Sequence, residues 1–116
     1  NETYFGKYDV YVPTTFYYNE KAGVVQQFQR QYKERFGTDM MNALPRFAIT
    51  GYDHAMYFIG GAYKYKKDFN GSRSQLYATP VQTPLYFNQT KGGGYRNNAF
   101  QLIHFKPFGA IEAVCY

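Results

Sequence analysis

The stretch NEKAGVVQQFQRQYKERFG (19–37), followed across a short link by PRFAITGYDHAMYFIGGAYKYKKD (45–68), decides where the helices of this chain lie. In the first segment Val25, Phe28, Tyr32 and Phe36 recur at helical spacing and form one apolar face, while Gln26, Arg30, Lys33 and Glu34 fall opposite. Asn19 is a suitable N-cap, and Glu20 follows where the helix dipole favours an anion. Gly37 suits the left-handed position that stops a helix. In the second segment Pro45 fits a first helical turn, because its missing N–H has no partner there anyway. The helix is predicted to begin between 46 and 50 and to run to about 67. Its apolar stripe reads Tyr52, Met56, Ile59 and Tyr63, with Ala55 and Ala62 beside it. Gly60 and Gly61 each cost about 1 kcal/mol against Ala in a helix, so the pair predicts close approach of another element's backbone. Asn70-Gly71 is read as the end of that helix.

Outward from the helices the chain reads as β. Residues 8–18 are rich in β-branched and aromatic types and predict a strand, with Pro13 at an edge, bend or end. Leu85-Tyr86-Phe87 predicts a short strand, and residues 91–98 a flexible turn. Residues 99–105 and 110–114, joined by Pro107-Phe108-Gly109, predict a hairpin. Segment 72–83 is assigned to no element. The fold class is α/β in the broad sense (α+β): two amphipathic helices on a small mixed β-sheet, in a single domain spanning 1–116.

Composition sets the outer bounds. A chain of 116 residues suits one domain and can bury roughly two thirds of its unfolded surface. Hydrophobic residues at 45% and charged residues at 18% describe a globular rather than a disordered chain. There are 14 Tyr, 11 Phe and no Trp. Tyrosine rings lie well half buried with the hydroxyl wet, so this excess reads first as a core rim and only weakly as a stacking surface. The net charge of +5 permits an anionic partner, but the basic residues are scattered. Lys64, Lys66 and Lys67 sit where cations complement a helix C-terminus. Aromatics interleaved with Lys and Arg are a property of single-strand binders. An RRM signature and the strand run of an OB-fold are both missing, so nucleic acid ranks last among the partners.

Reaction chemistry finds no constellation in the sequence. Cys115 is a lone cysteine, and His54 and His104 are far apart, so no zinc spacing exists and no metal or cofactor is expected. The glycines at 92–94 lack the Lys-Ser/Thr of a phosphate loop. Asp53 and His54 are adjacent on a helix and point about 100° apart, so they do not converge as an acid–base pair. The chain is therefore expected not to be an enzyme. Arg96 and Arg46 are candidates to hold a carboxylate, against the commoner reading of solvated surface arginines. Sequons at Asn1, Asn70 and Asn88 matter only in a eukaryotic secretory setting. No apolar run is long enough to span a membrane. The chain opens on Asn-Glu-Thr rather than Met, as expected of a piece of a larger protein whose export segment lies outside it.

From about Asp9 to Val114 the chain resembles the C-terminal part of type I periplasmic binding proteins, the branched-chain amino-acid-binding kind. The likeness rests on Phe28-Gln-Arg-Gln-Tyr32-Lys-Glu-Arg-Phe36-Gly37, similar to that family's Phe-x-x-x-Tyr-x-x-x-Phe-Gly helix. It rests also on Ala48-Ile-Thr-Gly51-Tyr52-Asp53-His54-Ala55, similar to its Ala-x-x-Gly-Tyr-Asp-Ala helix start. Leu85 to Phe87, the glycine- and asparagine-containing turn and the final hairpin follow in the family's order. The Tyr-rich wording is similar to exported proteins of the Bacteroidetes type, in which such regions are joined to peptidoglycan-binding LysM modules.

The resemblance implies a non-catalytic solute-recognition domain in the periplasm or cell envelope, like that of ABC-transporter substrate-binding proteins for amino acids. It implies a small polar ligand, an amino acid or a sugar, with Tyr52 and Asp53 among the contacts, and Arg96 joins them as a candidate ligand residue. The family's complete first lobe has no counterpart here, so the lobe is incomplete, and a homodimer or a further domain is expected to complete the sheet. The alternative function is a structural or interaction module of a LysM-type envelope protein, contacting envelope protein or peptidoglycan after loss of small-ligand binding.

Overall fold

The computed structural model describes residues 2–116, with side chains from Tyr4 onward. The Asn1 sequon lies outside the described residues. In chain order the elements are α1 (Glu2–Lys7), β1 (Val10–Thr14), α2 (Gly23–Phe36), α3 (Phe47–Tyr65), β2 (Phe87–Gln89), β3 (Tyr95–Asn97), β4 (Gln101–Phe105) and β5 (Ile111–Cys115). Short 3-10 turns lie at 66–68, 73–75 and 107–109. The architecture is α+β.

The expected mixed sheet is instead two antiparallel sheets. One is three-stranded in the order β1-β4-β5, and the other is the β2–β3 hairpin. The predicted C-terminal hairpin is β4–β5, turning at Phe108, which takes a positive φ of 65°. Only the middle of 8–18 pairs, as β1 against β4, and Pro13 lies within it opposite Leu102. Residues 91–98 are more ordered than a flexible turn: Thr90 N–H donates to the Gly94 carbonyl at 2.7 Å, Gly93 adopts φ 86°, and Tyr95–Asn97 pairs with β2. The strand predicted at 85–87 therefore sits about two residues later. Along β4, Gln101 and Ile103 turn inward, where alternation places them on one face. The other face carries a row formed by Tyr11, His104 and Glu112, in register across the sheet. There Tyr11 stacks on His104 at 4.0 Å, Asp9 pairs with His104 at 2.6 Å, and Lys106 pairs with Glu112 at 2.6 Å. That last pair holds Glu112 below and Lys106 above its usual pKa range.

The first helix stops where expected and starts later, whereas the second starts within the expected range and ends slightly early. Gly37 closes α2 in the left-handed conformation, φ 73°. Asn19 is not its N-cap: the cap is Ala22, and Asn19 instead accepts from the Lys21 N–H in a preceding turn. Pro45 lies before α3 rather than inside it, and α3 ends at Tyr65 on Lys66, φ 52°, ahead of Asn70-Gly71.

The buried face of α3 also differs from the expected stripe. Its buried residues are Ile49, Asp53, Tyr57, Gly60 and Gly61. Tyr52, Ile59 and Tyr63 are exposed. The glycine pair does mark a close approach, but of rings rather than backbone: a Cβ on Gly60 would strike Tyr77, and one on Gly61 would strike Phe69. Tyr57 is wedged beneath, its ring against Phe58 and Phe69 and its hydroxyl donating to the Gly71 carbonyl. Burial pushes the Tyr57 phenol above its usual range, partly opposed by the Phe87 backbone.

The segment 81–83, assigned to no element by its sequence, is the hub of the fold. The Asp53 carboxylate accepts the N–H groups of Val81, Gln82 and Thr83 at 2.7, 2.9 and 2.8 Å. Gln82 is fully buried, and its side-chain oxygen accepts the Arg46 N–H at 3.0 Å, capping the start of α3. Its amide nitrogen donates to the Thr50 hydroxyl at 2.9 Å. Its main-chain carbonyl accepts from Tyr17 N–H and from the Gln101 side chain. This one loop therefore ties α3 to β4. The buried side chains of Asp53, Gln82 and Gln101 are each paired, as buried polar groups generally are, whereas the Thr83 hydroxyl and the Arg46 Nε are buried without a partner.

Candidate functional site

An open groove of about 610 Å³ runs along α2, bounded on the far side by Tyr52 of α3 and by Val81. Helical spacing builds it. Phe28, Tyr32 and Phe36 stand four residues apart on one row, and Gln27, Gln31 and Arg35 stand four apart on the row beside it. The apolar row was expected to be core, but only Val25 of that set is buried; Phe28 and Tyr32 are half-buried and Phe36 is exposed. Phe28 meets the Tyr52 ring edge-on at 5.2 Å, and Tyr32 leans on Phe36 at 4.6 Å.

The polar groups of the groove are free. Among the described residues, the side-chain amides of Gln27 and Gln31, the Arg35 guanidinium and the hydroxyls of Tyr32 and Tyr52 have no hydrogen-bond or ion-pair partner. Among the described residues, no carboxylate lines the groove. The site thus offers apolar ring faces, two amides that both donate and accept, and one cation. That chemistry suits a small polar ligand bearing hydroxyls or a carboxylate.

Of the sequence-derived candidates, Tyr52 lies in this groove. Asp53, its neighbour, is 4% exposed and turned into the protein, with both oxygens occupied by the 81–83 amides. Asp53 lies well inside α3, which starts at Phe47 and whose first turn carries no acid. Arg96 is exposed on β3, outside the groove lining. Arg46 is committed locally: it donates to the Met41 carbonyl at 3.1 Å and to Asn42 at 2.7 Å, and lies over the Tyr18 ring. His54 is exposed while Asp53 is buried, so the two diverge as their adjacency predicted. The row Gln27, Gln31, Arg35 was missed. Its four-residue spacing was visible, but a polar row beside an apolar one reads as an ordinary helix boundary.

No group of three or more His, Cys, Asp or Glu that could hold a metal ion occurs among the described residues. Among the described residues, no helix is long and apolar enough to cross a membrane. Comparison with protein-family models, with curated proteins and with solved structures finds no match to this chain.

Proposed function

We propose that this chain is a non-catalytic solute-recognition domain of a cell-envelope protein, holding a small polar ligand, an amino acid or a sugar, in the groove between α2 and α3. The observation that carries the reading is the set of unpaired polar groups beside aromatic faces: Gln27, Gln31, Arg35 and the Tyr32 and Tyr52 hydroxyls. Ligand sites combine apolar walls with a few placed polar anchors in this way. The resemblance of 28–37 and 48–55 to the C-terminal region of amino-acid-binding ABC-transporter proteins supports the same reading and an exported location. An amino-acid carboxylate would pair with Arg35; a sugar would stack on Phe28 or Tyr52 and bond the glutamine amides.

Thermal-shift screening with amino acids and small sugars tests this. A ligand at a hundred times its Kd stabilises by about 2.7 kcal/mol, which raises the melting temperature of a chain this size by about 10 °C. Arg35→Ala and Tyr52→Ala should abolish that rise. A screen with no responding solute, or a response unchanged in both variants, sinks the proposal. A second reading, an interaction module for envelope protein or peptidoglycan, is favoured by the exposed apolar face of α3. Retention on purified peptidoglycan without any solute response would support it.

A further inference from the structure

The polar groups of the α2 groove are uncommitted, and the charges among them do not balance. Of the residues that line it, Arg35 alone carries a charge at neutral pH. Among the described residues its guanidinium has no carboxylate partner; Lys33, in the same turn, is the cation that Asp39 takes, at 3.3 Å. The groove therefore holds a free cation and no anion. A guanidinium offers a planar fork of N–H donors that matches a carboxylate two to two, so a carboxylate is the anion it fits.

The neutral groups of the groove suit hydroxyls. Gln27 and Gln31 each carry an amide that both donates and accepts, as a hydroxyl does. Tyr32 and Tyr52 add phenolic hydroxyls, and Phe28 and Tyr52 supply rings for the apolar side of a sugar. Gln27, Gln31 and Arg35 stand four residues apart on one row, so neighbours on it are separated by about 6 Å along the helix axis. One six-membered sugar ring with its substituents reaches across such a gap. Its hydroxyls then meet the Gln31 amide while a carboxylate on the same ring meets Arg35.

This balance separates the two ligand classes proposed for the groove. An amino acid brings a carboxylate for Arg35 and an ammonium that finds no counter-charge, and a charge taken from water without a partner costs free energy. A neutral sugar satisfies the amides and the rings and leaves the guanidinium unused. A sugar acid uses all three. Resting on the groove reading above, we infer that the ligand is a hydroxylated monocarboxylate, a sugar acid of the hexuronate class. Its carboxylate lies on Arg35, its hydroxyls on Gln27 and Gln31, and its ring against Phe28 or Tyr52.

Isothermal titration of the whole chain with glucuronate, galacturonate, glucose, galactose and leucine tests the inference. At least one uronate should bind about tenfold tighter than its neutral sugar, the gain of one charge-assisted carboxylate pair. Sodium chloride should reduce that ratio, because the pair is open to screening. Arg35→Gln should bring the ratio to about one, and Arg35→Lys should restore only part of it, since an ammonium keeps the charge and loses the fork. Circular dichroism should be unchanged in both variants, because Arg35 is exposed. Uronates that bind no better than their neutral sugars, leucine that binds tighter than either uronate, or a ratio that survives Arg35→Gln overturns the inference. Where one of those results comes with a bound sugar or amino acid, the groove reading stands without it. Silence from every solute of this panel and of the thermal-shift screen sinks both.

Discussion

Replacing Asp53 by Asn keeps the side chain's shape and removes its charge. In the structure one carboxylate oxygen accepts from Val81 N–H at 2.7 Å, and the other from Gln82 and Thr83 N–H at 2.9 and 2.8 Å. An amide has one oxygen, so its NH₂ must face at least one of these donors. A hydrogen bond to a charged acceptor contributes about 1.5–3 kcal/mol, and a buried donor left unpaired costs about 1–3 kcal/mol. Because the two estimates overlap rather than add, Asp53→Asn should lose about 2–3 kcal/mol. At an unfolding entropy of about 2.1 cal/mol/K per residue, each kcal/mol moves the midpoint by about 4 °C in a chain of this size. The melting temperature should therefore fall by about 8–12 °C. Asp53→Ala, which removes every acceptor, should fall further. Urea unfolding followed by circular dichroism gives the free energy, and thermal denaturation the midpoint. The prediction separates two roles for one residue. If Asp53→Asn is within about 0.5 kcal/mol of wild type yet loses a solute response, Asp53 is a ligand contact and its role as the anchor of the 81–83 loop is refuted.

Gly61→Ala should destabilise by about 1–2 kcal/mol, because overpacking against the Phe69 ring outweighs the helix-propensity gain of about 1 kcal/mol; a stabilised variant in urea unfolding would show that the ring gives way. Tyr57→Phe removes the hydroxyl that donates to Gly71 and should cost about 1–2 kcal/mol near neutral pH. The folded phenol titrates above its usual 10.0, so folding favours the protonated form. That contribution is complete below the unfolded value and is lost as pH rises from there through the folded value. Wild type should thus lose more stability than Tyr57→Phe across the alkaline limb. Parallel pH profiles of the two proteins would contradict the assignment.

The helices were legible because their signals are local. Gly37 stops α2 at the residue its conformational freedom suggests, and the β4–β5 hairpin turns at Pro107-Phe108-Gly109. The Asn19 cap and the Pro45 first turn were not realised, since both residues found other roles in the turns just ahead of the helices. The groove was half legible. Phe28 and Tyr32 were visible in one apolar row and Tyr52 in another, but whether a row faces core or solvent depends on what lies across from it.

What the sequence by itself determined is the inventory of elements, each set by spacing, caps and turn residues within a few positions of one another. Only the tertiary structure decided which way α3 turns. Its residues 47–63 carry a single charge, so two faces qualify as apolar and periodicity cannot choose between Tyr52–Met56–Ile59–Tyr63 and Ile49–Asp53–Tyr57–Gly60. The choice is made by contacts nearly thirty residues apart in sequence, the Asp53 carboxylate on the 81–83 amides. With the Tyr77 and Phe69 rings seated on Gly60 and Gly61, these outweigh the burial of Ile59 and Tyr63. Three charge-assisted hydrogen bonds and two ring contacts set the helix's rotation, and that rotation leaves the apolar stripe facing outward.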